Sequence, residues 1–139
     1  MTAYGGGKAR LGKQIYKAIR EIEEKRGWKA NTYFEPFCGM LGVAKHFLCE
    51  GRNSVEQYKK YILSDANKDI VLMWKRLKRG GWSLPRTCTR ERYEELKYSK
   101  RHSAERGFYG VSCAYSGIFL RDTDRKVGRE TFSVNRVKT

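Results

Sequence analysis

A short apolar segment that runs into a glycine turn constrains the fold of this chain more than any other feature. Residues 33–39, Tyr-Phe-Glu-Pro-Phe-Cys-Gly, have the character of a buried strand followed by a turn. Residues 62–65, Ile-Leu-Ser-Asp, have that of a second strand ending in a lone acid. About one strand–helix–strand unit separates the two. The pattern predicts parallel strands with a site for a nucleoside-bearing cofactor at their carboxyl edge.

The charge of the chain points to a polyanionic partner. Lys and Arg number 30 against 15 Asp and Glu, which gives a formal net charge of +15 in 139 residues and an isoelectric point near 9.9. Such an excess favours nucleic acid as the partner, with an acidic protein as the alternative. With 40% hydrophobic residues, the chain can form one domain with a modest core.

The composition also bears on location and metal binding. No stretch approaches the roughly 18 consecutive apolar residues of a membrane span, and the glycine-rich, basic first ten residues lack the apolar core of a signal peptide. We therefore expect no membrane partner and an intracellular location (cytoplasm or nucleus), or packaging into a nucleoprotein particle or virion. The cysteines are too widely spaced for a zinc site and are predicted to be buried free thiols: Cys38, Cys49, Cys88 and Cys113.

Hydrophobic periodicity predicts mixed helices and strands. Residues 10–25 are expected to form a helix that ends at Gly27. Its inward stripe recurs at i, i+4, i+8 and i+11: Leu11, Ile15, Ile19 and Ile22. The remaining expected elements are strands over 31–37 and 61–63, a surface insertion over 51–60, and helices over 42–49, 91–98, 103–113 and between Asn67 and Gly80. Phe34, Phe37 and Trp74 are expected in the core.

Three motifs follow one another along the chain: Gly-Gly-Lys at 6–8, Glu-Pro-Phe-Cys-Gly at 35–39 and Asp-Ala-Asn at 65–67. In this order and spacing the chain resembles the amino-terminal half of the Dam-type (D12 class) adenine-specific DNA methyltransferases, which transfer a methyl group from S-adenosylmethionine to adenine N6. The resemblance implies an α/β, Rossmann-like methyltransferase fold that is incomplete at its carboxyl end. It also implies one domain over 1–139, with a cofactor-binding half at 1–80 and a helical, basic DNA-recognition region at 81–139.

The resemblance assigns roles to individual residues. Asp65 would accept hydrogen bonds from the ribose hydroxyls, and Glu35 would face the amino group of the cofactor. The full set of implied cofactor contacts is Tyr4, Lys8, Glu35, Pro36, Phe37, Gly39 and Asp65. The implied DNA contacts are Tyr115, Ser116, Arg121 and Arg136. Simpler alternatives stay open: Lys8 in a solvated loop, Glu35 or Asp65 as a cap, and Tyr115 in the core.

Two departures from the family pattern affect function. The second glycine of the usual Gly-x-Gly turn is Leu41, for which a turn shifted to Gly42 would compensate. The family's catalytic Asp-Pro-Pro-Tyr motif is absent, since the only prolines are Pro36 and Pro85. We therefore expect a truncated or split protein that is inactive alone. Its open sheet edge is expected to be covered by self-association, by a second polypeptide or by a rearranged tail.

Four functions are compatible with these features. The chain is one part of a split methyltransferase, a degenerate homologue that binds cofactor or DNA without chemistry, a structural component of a larger nucleoprotein assembly, or a nucleic-acid-binding module unrelated to methyl transfer. The first predicts a partner chain that carries Asp-Pro-Pro-Tyr, and the last rests on charge alone.

Overall fold

Two parallel strands lie at the centre of residues 7–66 in the computed structural model, which describes residues 7–49, 58–114, 118–120 and 132–133. Strand β1 is paired with β2 in a register that places Tyr33 opposite Tyr61. The elements of this unit, in chain order, are α1 (Gly12–Arg26), β1 (Thr32–Glu35), α2 (Ala44–Cys49) and β2 (Lys60–Leu63). Each was predicted to within a few residues; the insertion expected at 51–60 lies largely outside the described residues.

Helix α1 ends where the sequence predicts. Gly27 adopts a left-handed conformation, with φ of 62°, and its N–H donates to the Glu24 carbonyl oxygen. The next N–H, of Trp28, donates to the Glu23 carbonyl oxygen at 2.9 Å. This pair of hydrogen bonds is the Schellman arrangement, which a glycine at this position favours.

An aromatic cluster forms the core of the 7–66 unit. Tyr33 of β1 packs against Phe47 of α2, with ring centroids 4.3 Å apart. Buried Val43, Ala44 and Tyr58 complete the cluster. Ile15 and Ile19 of α1 pack against it as predicted. In contrast, Leu11 and Ile22 are exposed, because only the middle of the α1 stripe faces the cluster.

The other face of the β1–β2 pair is exposed. Residues alternate between the two faces of a strand, so Tyr33 and Phe34 point in opposite directions. Phe34 is 58% exposed and Phe37 is 73% exposed, so the prediction that both lie in the core is wrong. Trp74 is partly buried. Apolar character identified strand residues correctly but did not say which face another element covers.

Residues from 67 onward form a second compact unit. Helix α3 (Lys68–Arg79) packs against α5 (Ala104–Ser112), and α4 (Arg90–Tyr98) also packs on α5. Two short antiparallel strands, β3 (Thr87–Cys88) and β4 (Phe132–Ser133), are paired. Asn67 caps α3, and Gly80 ends it, as the sequence predicts. The division at residue 80 into cofactor and recognition halves concerns function and stays a prediction.

The α3–α5 contact is close because α5 carries a glycine there. A Cβ atom on Gly107 would lie 2.3 Å from the backbone oxygen of Asp69. The buried Asp69 side chain then binds the start of α5, since its Oδ1 accepts the Ser103 N–H at 2.8 Å. Arg106 donates to Asp69 Oδ2 as well, and His102 Nδ1 lies 3.2 Å from Oδ1. Three residues in and just before α5 are thereby held by one carboxylate.

The cysteines and the sheets allow two further comparisons with the sequence. All four cysteines are free thiols, and Cys38, Cys88 and Cys113 are buried, whereas Cys49 is exposed. The described strands make a small parallel sheet and a separate antiparallel pair, consistent with an α/β methyltransferase-type domain. They do not make up a complete Rossmann-like sheet. None of the described helices has the length and apolar character needed to cross a membrane.

Candidate functional site

The carboxyl ends of β1 and β2 are held together beyond the last strand residues. The Ser64 N–H donates to the Glu35 carbonyl oxygen at 3.0 Å, and the Cys38 N–H donates to the Ser64 carbonyl oxygen at 2.9 Å. The Ser64 hydroxyl adds a hydrogen bond to the Pro36 carbonyl oxygen at 3.3 Å. The Glu-Pro-Phe-Cys-Gly segment and the end of β2 therefore lie at one sheet edge, as predicted.

One hydrogen bond joins the two motifs at this edge. The Gly39 N–H donates to Asp65 Oδ2 at 2.9 Å. Gly39 has a φ of 44°, a conformation that glycine adopts without a steric penalty. The N-cap of α3 is Asn67, whose side chain accepts the N–H groups of Asp69 and Ile70. The strand-end carboxylate thus belongs to the glycine turn.

Glu35 lies between this edge and the aromatic core. The Tyr33 hydroxyl donates to Glu35 Oε2 at 2.8 Å, since residues i and i+2 share one face of a strand. Burial raises the pKa of Tyr33 above its ordinary value, and the hydrogen bond to Glu35 raises it further. Tyr33 thereby fixes the direction of the Glu35 carboxylate; contact with a cofactor remains a prediction for Glu35.

The pKa of the Cys38 thiol is raised in the turn. Burial raises the pKa of Cys38 to about 11, and the charges of Asp65 and Glu35 contribute in the same direction. Both carboxylates therefore act on one point of the turn.

The loop that carries Lys8 lies against the glycine turn. A Cβ on Gly42 would lie 2.9 Å from the backbone of Lys8 and Ala9, and one on Gly12 would lie 1.9 Å from the Gly42 carbonyl oxygen. Only residues without side chains permit this approach. The structure therefore brings the Lys8 loop, the turn after β1 and Asp65 into one unit, with the Lys8 side chain exposed.

Leu41, at the position where the family pattern has its second glycine, adopts a left-handed backbone conformation. Its φ is 57°, in the left-handed region that a leucine rarely adopts. Its side chain packs against the aromatic cluster of Tyr33 and Phe47. The turn therefore keeps a glycine-like conformation at residue 41, while Gly42 serves the contact with the Lys8 loop.

The remaining predicted residues differ in how far the structure describes them. Pro36 and Phe37 are exposed at the sheet edge, where a ligand would have access to them. Tyr4, Tyr115, Ser116, Arg121 and Arg136 lie outside the described residues, so their roles stay predictions. Sequence reasoning missed buried Asp69, whose position in the first turn of α3 was the available signal.

A cavity lies at the opposite end of β1 from the Gly39–Asp65 edge. This cavity of about 150 Å³ is lined by Trp28, Asn31, Tyr58 and their neighbours, near the amino end of the strand. Burial raises the pKa of Tyr58 to about 12, and the hydrogen bond to Glu23 acts in the same direction. No group of three metal-ligating side chains occurs among the residues that the structure describes.

Comparison with known proteins identifies the family. The model of the D12 class N6 adenine-specific DNA methyltransferases matches residues 4–133, which include both motifs of the Gly39–Asp65 edge. A search of curated proteins and a search of solved structures each found no match. Because the family match covers nearly the whole chain, this protein belongs to the D12 class N6 adenine-specific DNA methyltransferase family.

Proposed function

We propose that this chain binds S-adenosylmethionine at the Gly39–Asp65 edge and acts on DNA as a component of an adenine N6-methyltransferase. The observation that carries the proposal is the 2.9 Å hydrogen bond from the Gly39 N–H to Asp65 Oδ2. It joins the two family motifs at the carboxyl edge of parallel strands, where nucleoside-bearing ligands bind in open α/β sheets.

The residues at this edge fit the chemistry of the cofactor. Asp65 is a carboxylate acceptor suited to a pair of ribose hydroxyls, and exposed Phe37 offers an aromatic face. The carboxylates of Asp65 and Glu35, which the structure holds at the turn and at the end of β1, would attract the positive sulfonium and the amino group. When bound, S-adenosylmethionine would supply an electrophilic methyl group, while Asp65 and Glu35 would hold the ribose and the amino end.

We further propose that methyl transfer requires an Asp-Pro-Pro-Tyr segment that these 139 residues do not contain. In the family that motif accepts hydrogen bonds from the target amino group and stacks on the flipped adenine. With Pro36 and Pro85 far apart, no segment here can play this part. A second polypeptide that carries the motif would complete the enzyme.

The exposed face of β1 and β2 supports a need for such a cover. Phe34 and Ile62 lie on it, 58% and 39% exposed. A second polypeptide, or a second copy of this chain, packed on this face would bury both side chains. If the chain proves to bind no cofactor and to form tight oligomers, the alternative is favoured: a methyltransferase homologue recruited as a structural or nucleic-acid-binding component of a larger assembly.

Isothermal titration of S-adenosylmethionine into the full chain tests the cofactor site. We expect micromolar binding to the wild type, loss of that binding in Asp65→Ala, and no change in Glu24→Ala, which removes an exposed carboxylate from α1. Asp65→Asn separates recognition from turn structure, because an amide oxygen still accepts the Gly39 N–H. Absence of binding to a folded wild type would refute the proposal.

Assays for methyl transfer test the second part. The purified chain alone should leave adenine in duplex DNA unmodified, as read by mass spectrometry of the nucleosides. Adding a candidate partner that carries Asp-Pro-Pro-Tyr should produce N6-methyladenine, and replacing the aspartate of that motif should abolish it. Methylation by the chain without a partner would show that catalysis uses other residues.

A further inference from the structure

The second half of α3 carries cations without any compensating acid. Residues Ile70 to Arg90 include six Lys and Arg and no Asp or Glu. Four of the six lie near the end of α3, and all four are exposed: Lys75, Arg76, Lys78 and Arg79. We call these four residues the α3 basic patch.

The four side chains share the solvent side of the helix. Ile70 and Met73 are buried on the opposite side. At 100° per residue the four cations fall within an arc of about 160°. Lys75 and Arg79 are four residues apart, and Arg76 and Arg79 are three apart, so they are neighbours on the helix surface. Like charges at these separations repel each other and destabilise a helix.

Some arginines of the same unit, such as Arg90, Arg92 and Arg106, are paired with carboxylates, whereas the cations of the patch form no such pair among the described residues. On α4, Arg90 Nε lies 2.7 Å from Glu94 Oε1, and Arg92 is paired with both Glu95 and Glu105. Within the described part of the chain, no carboxylate forms an ion pair with a cation of the α3 basic patch. The helix dipole favours cations only in the last turn. It therefore explains neither the presence of Lys75 before that turn nor the tolerance of repulsion among the four cations.

We propose that the α3 basic patch binds the phosphate backbone of duplex DNA. Lys75 to Arg79 covers about 6 Å of helix axis, and duplex DNA presents one charge per about 1.7 Å of its own axis, so three or four phosphates lie within reach. Contacts of this kind position a protein on DNA and carry no sequence information. The inference rests on the proposed function for the choice of DNA as the polyanion, and it concerns residues other than the predicted DNA contacts Tyr115, Ser116, Arg121 and Arg136.

The test is the salt dependence of binding to a fluorescent duplex without a target sequence, measured by anisotropy. The patch variant is Lys75→Gln, Arg76→Gln, Lys78→Gln and Arg79→Gln in the full chain. The control variant removes the same charge from or near α1: Lys13→Gln, Lys17→Gln, Lys25→Gln and Lys29→Gln. Glutamine is a good helix former, so both helices should persist, and circular dichroism verifies this. If the fourfold variant unfolds, two double variants replace it in the same measurement: one changes Lys75 and Arg76 to Gln, and the other changes Lys78 and Arg79 to Gln.

We expect the slope of log Kd against log salt to fall by about 0.9 for each phosphate that the protein no longer neutralises, or by about three to four in total for the three or four phosphates within reach of the patch. The affinity should drop at least about tenfold at 0.1 M salt, and the control variant should change the slope by less than about one. Equal effects in both variants would overturn the inference, since they would mean that charge acts without regard to position.

Cofactor titration separates the failure of this inference from the failure of the proposed function. The patch variant should bind S-adenosylmethionine as the wild type does, because none of its four residues belongs to the Gly39–Asp65 edge. If the patch variant binds the cofactor as the wild type does and its DNA binding keeps the same salt dependence, this inference alone is wrong. If the wild type binds DNA but does not bind the cofactor, the cofactor proposal is wrong and the inference about the α3 basic patch is unaffected.

Discussion

Phe34 of β1 and Ile62 of β2 lie opposite each other in the parallel register, and both side chains are exposed. Their neighbours Tyr33 and Tyr61 turn the other way and pack with the aromatic cluster. Among the described residues, the strand pair is therefore covered on one face only. Parallel sheets are ordinarily covered on both faces. We therefore propose that another element covers this exposed apolar pair.

Replacing the exposed pair should abolish self-association. We expect the wild type to elute as a species larger than a monomer and the Phe34→Ser, Ile62→Thr double variant to elute as a monomer, because the substitutions remove the apolar surface that would hold two copies together. Size-exclusion chromatography with light scattering measures this. Ile22→Ser, which changes an exposed isoleucine on α1, is the control and should leave the mass unchanged. A monomeric wild type would leave a second polypeptide as the remaining cover.

Gly12→Ala should destabilise the protein although it adds a better helix former to α1. Alanine is ordinarily favoured over glycine inside a helix by about 1 kcal/mol. At this position its Cβ would lie 1.9 Å from the Gly42 carbonyl oxygen. Overpacking of this kind costs about 1–3 kcal/mol. Urea denaturation followed by circular dichroism should show the loss, whereas Gln14→Ala on the exposed side of α1 should show none. An unchanged midpoint for Gly12→Ala would contradict the close approach of α1 to the turn.

Asp69→Asn should destabilise the packing of α3 on α5 more than the removal of any surface ion pair does. Asp69 is 1% exposed and binds Arg106, and removal of one member of a buried pair costs about 3–5 kcal/mol. The Ser103 N–H would keep an acceptor in the amide, so the loss of stability reports mainly the Arg106 interaction. Thermal unfolding of the wild type, Asp69→Asn, Arg106→Gln and the double variant forms a double-mutant cycle that measures the interaction between the two side chains. Additive losses of stability would show that the two side chains do not interact.

The thiol of Cys38 should ionise only at high pH, and its pKa should depend on the charge of Asp65. Its pKa is raised from 9.0 to about 11, by burial first and by Asp65 and Glu35 next. Removing the Asp65 charge in Asp65→Asn should therefore lower the pKa of Cys38. The pH dependence of alkylation, followed at each cysteine by mass spectrometry, measures this. The exposed Cys49 should be alkylated first, and the pH dependence of its alkylation should be the same in the wild type and in Asp65→Asn. An identical Cys38 profile in Asp65→Asn would contradict the coupling.

The same raised pKa predicts a loss of stability at high pH. The unfolded thiol ionises near pH 9, whereas the folded one keeps its proton until about pH 11. The unfolded state therefore binds fewer protons in this window, and the free energy of unfolding should fall by up to about 1.4 kcal/mol per pH unit for this one group. Cys38→Ala should flatten that part of the curve. An unaltered slope in Cys38→Ala would assign the loss to other groups.

Local features were predictable because their causes are local. Gly27 at the end of α1 and Asn67 at the start of α3 follow from capping chemistry that neighbouring residues determine. The order of the motifs predicted that the Glu35 segment and Asp65 would meet at one edge. Sequence alone left two roles for Asp65, since Asp65 and Asn67 are two residues apart and either can cap a helix.

Other features depend on contacts that the sequence does not reveal. Phe34 has the composition of a core residue, and its exposure follows from the absence of a covering element on its face among the described residues. Asp69 in the first turn of a helix is usually an exposed partner of the dipole. Here Gly107 lets α5 approach, and the carboxylate becomes buried. Leu41 could not be assigned a left-handed conformation from its side chain, which disfavours it.

The hydrogen bond between Gly39 and Asp65 has a thermodynamic consequence. Ordering one backbone residue costs about 1–2 kcal/mol of conformational entropy, and in this chain folding has already ordered the turn after β1. A ligand arriving at that edge would meet a preorganised surface, so little of its binding energy would be diverted to arranging the protein. The Asp65 carboxylate would then hold the turn in its conformation before the ligand binds, so ligand binding would not be needed to order it.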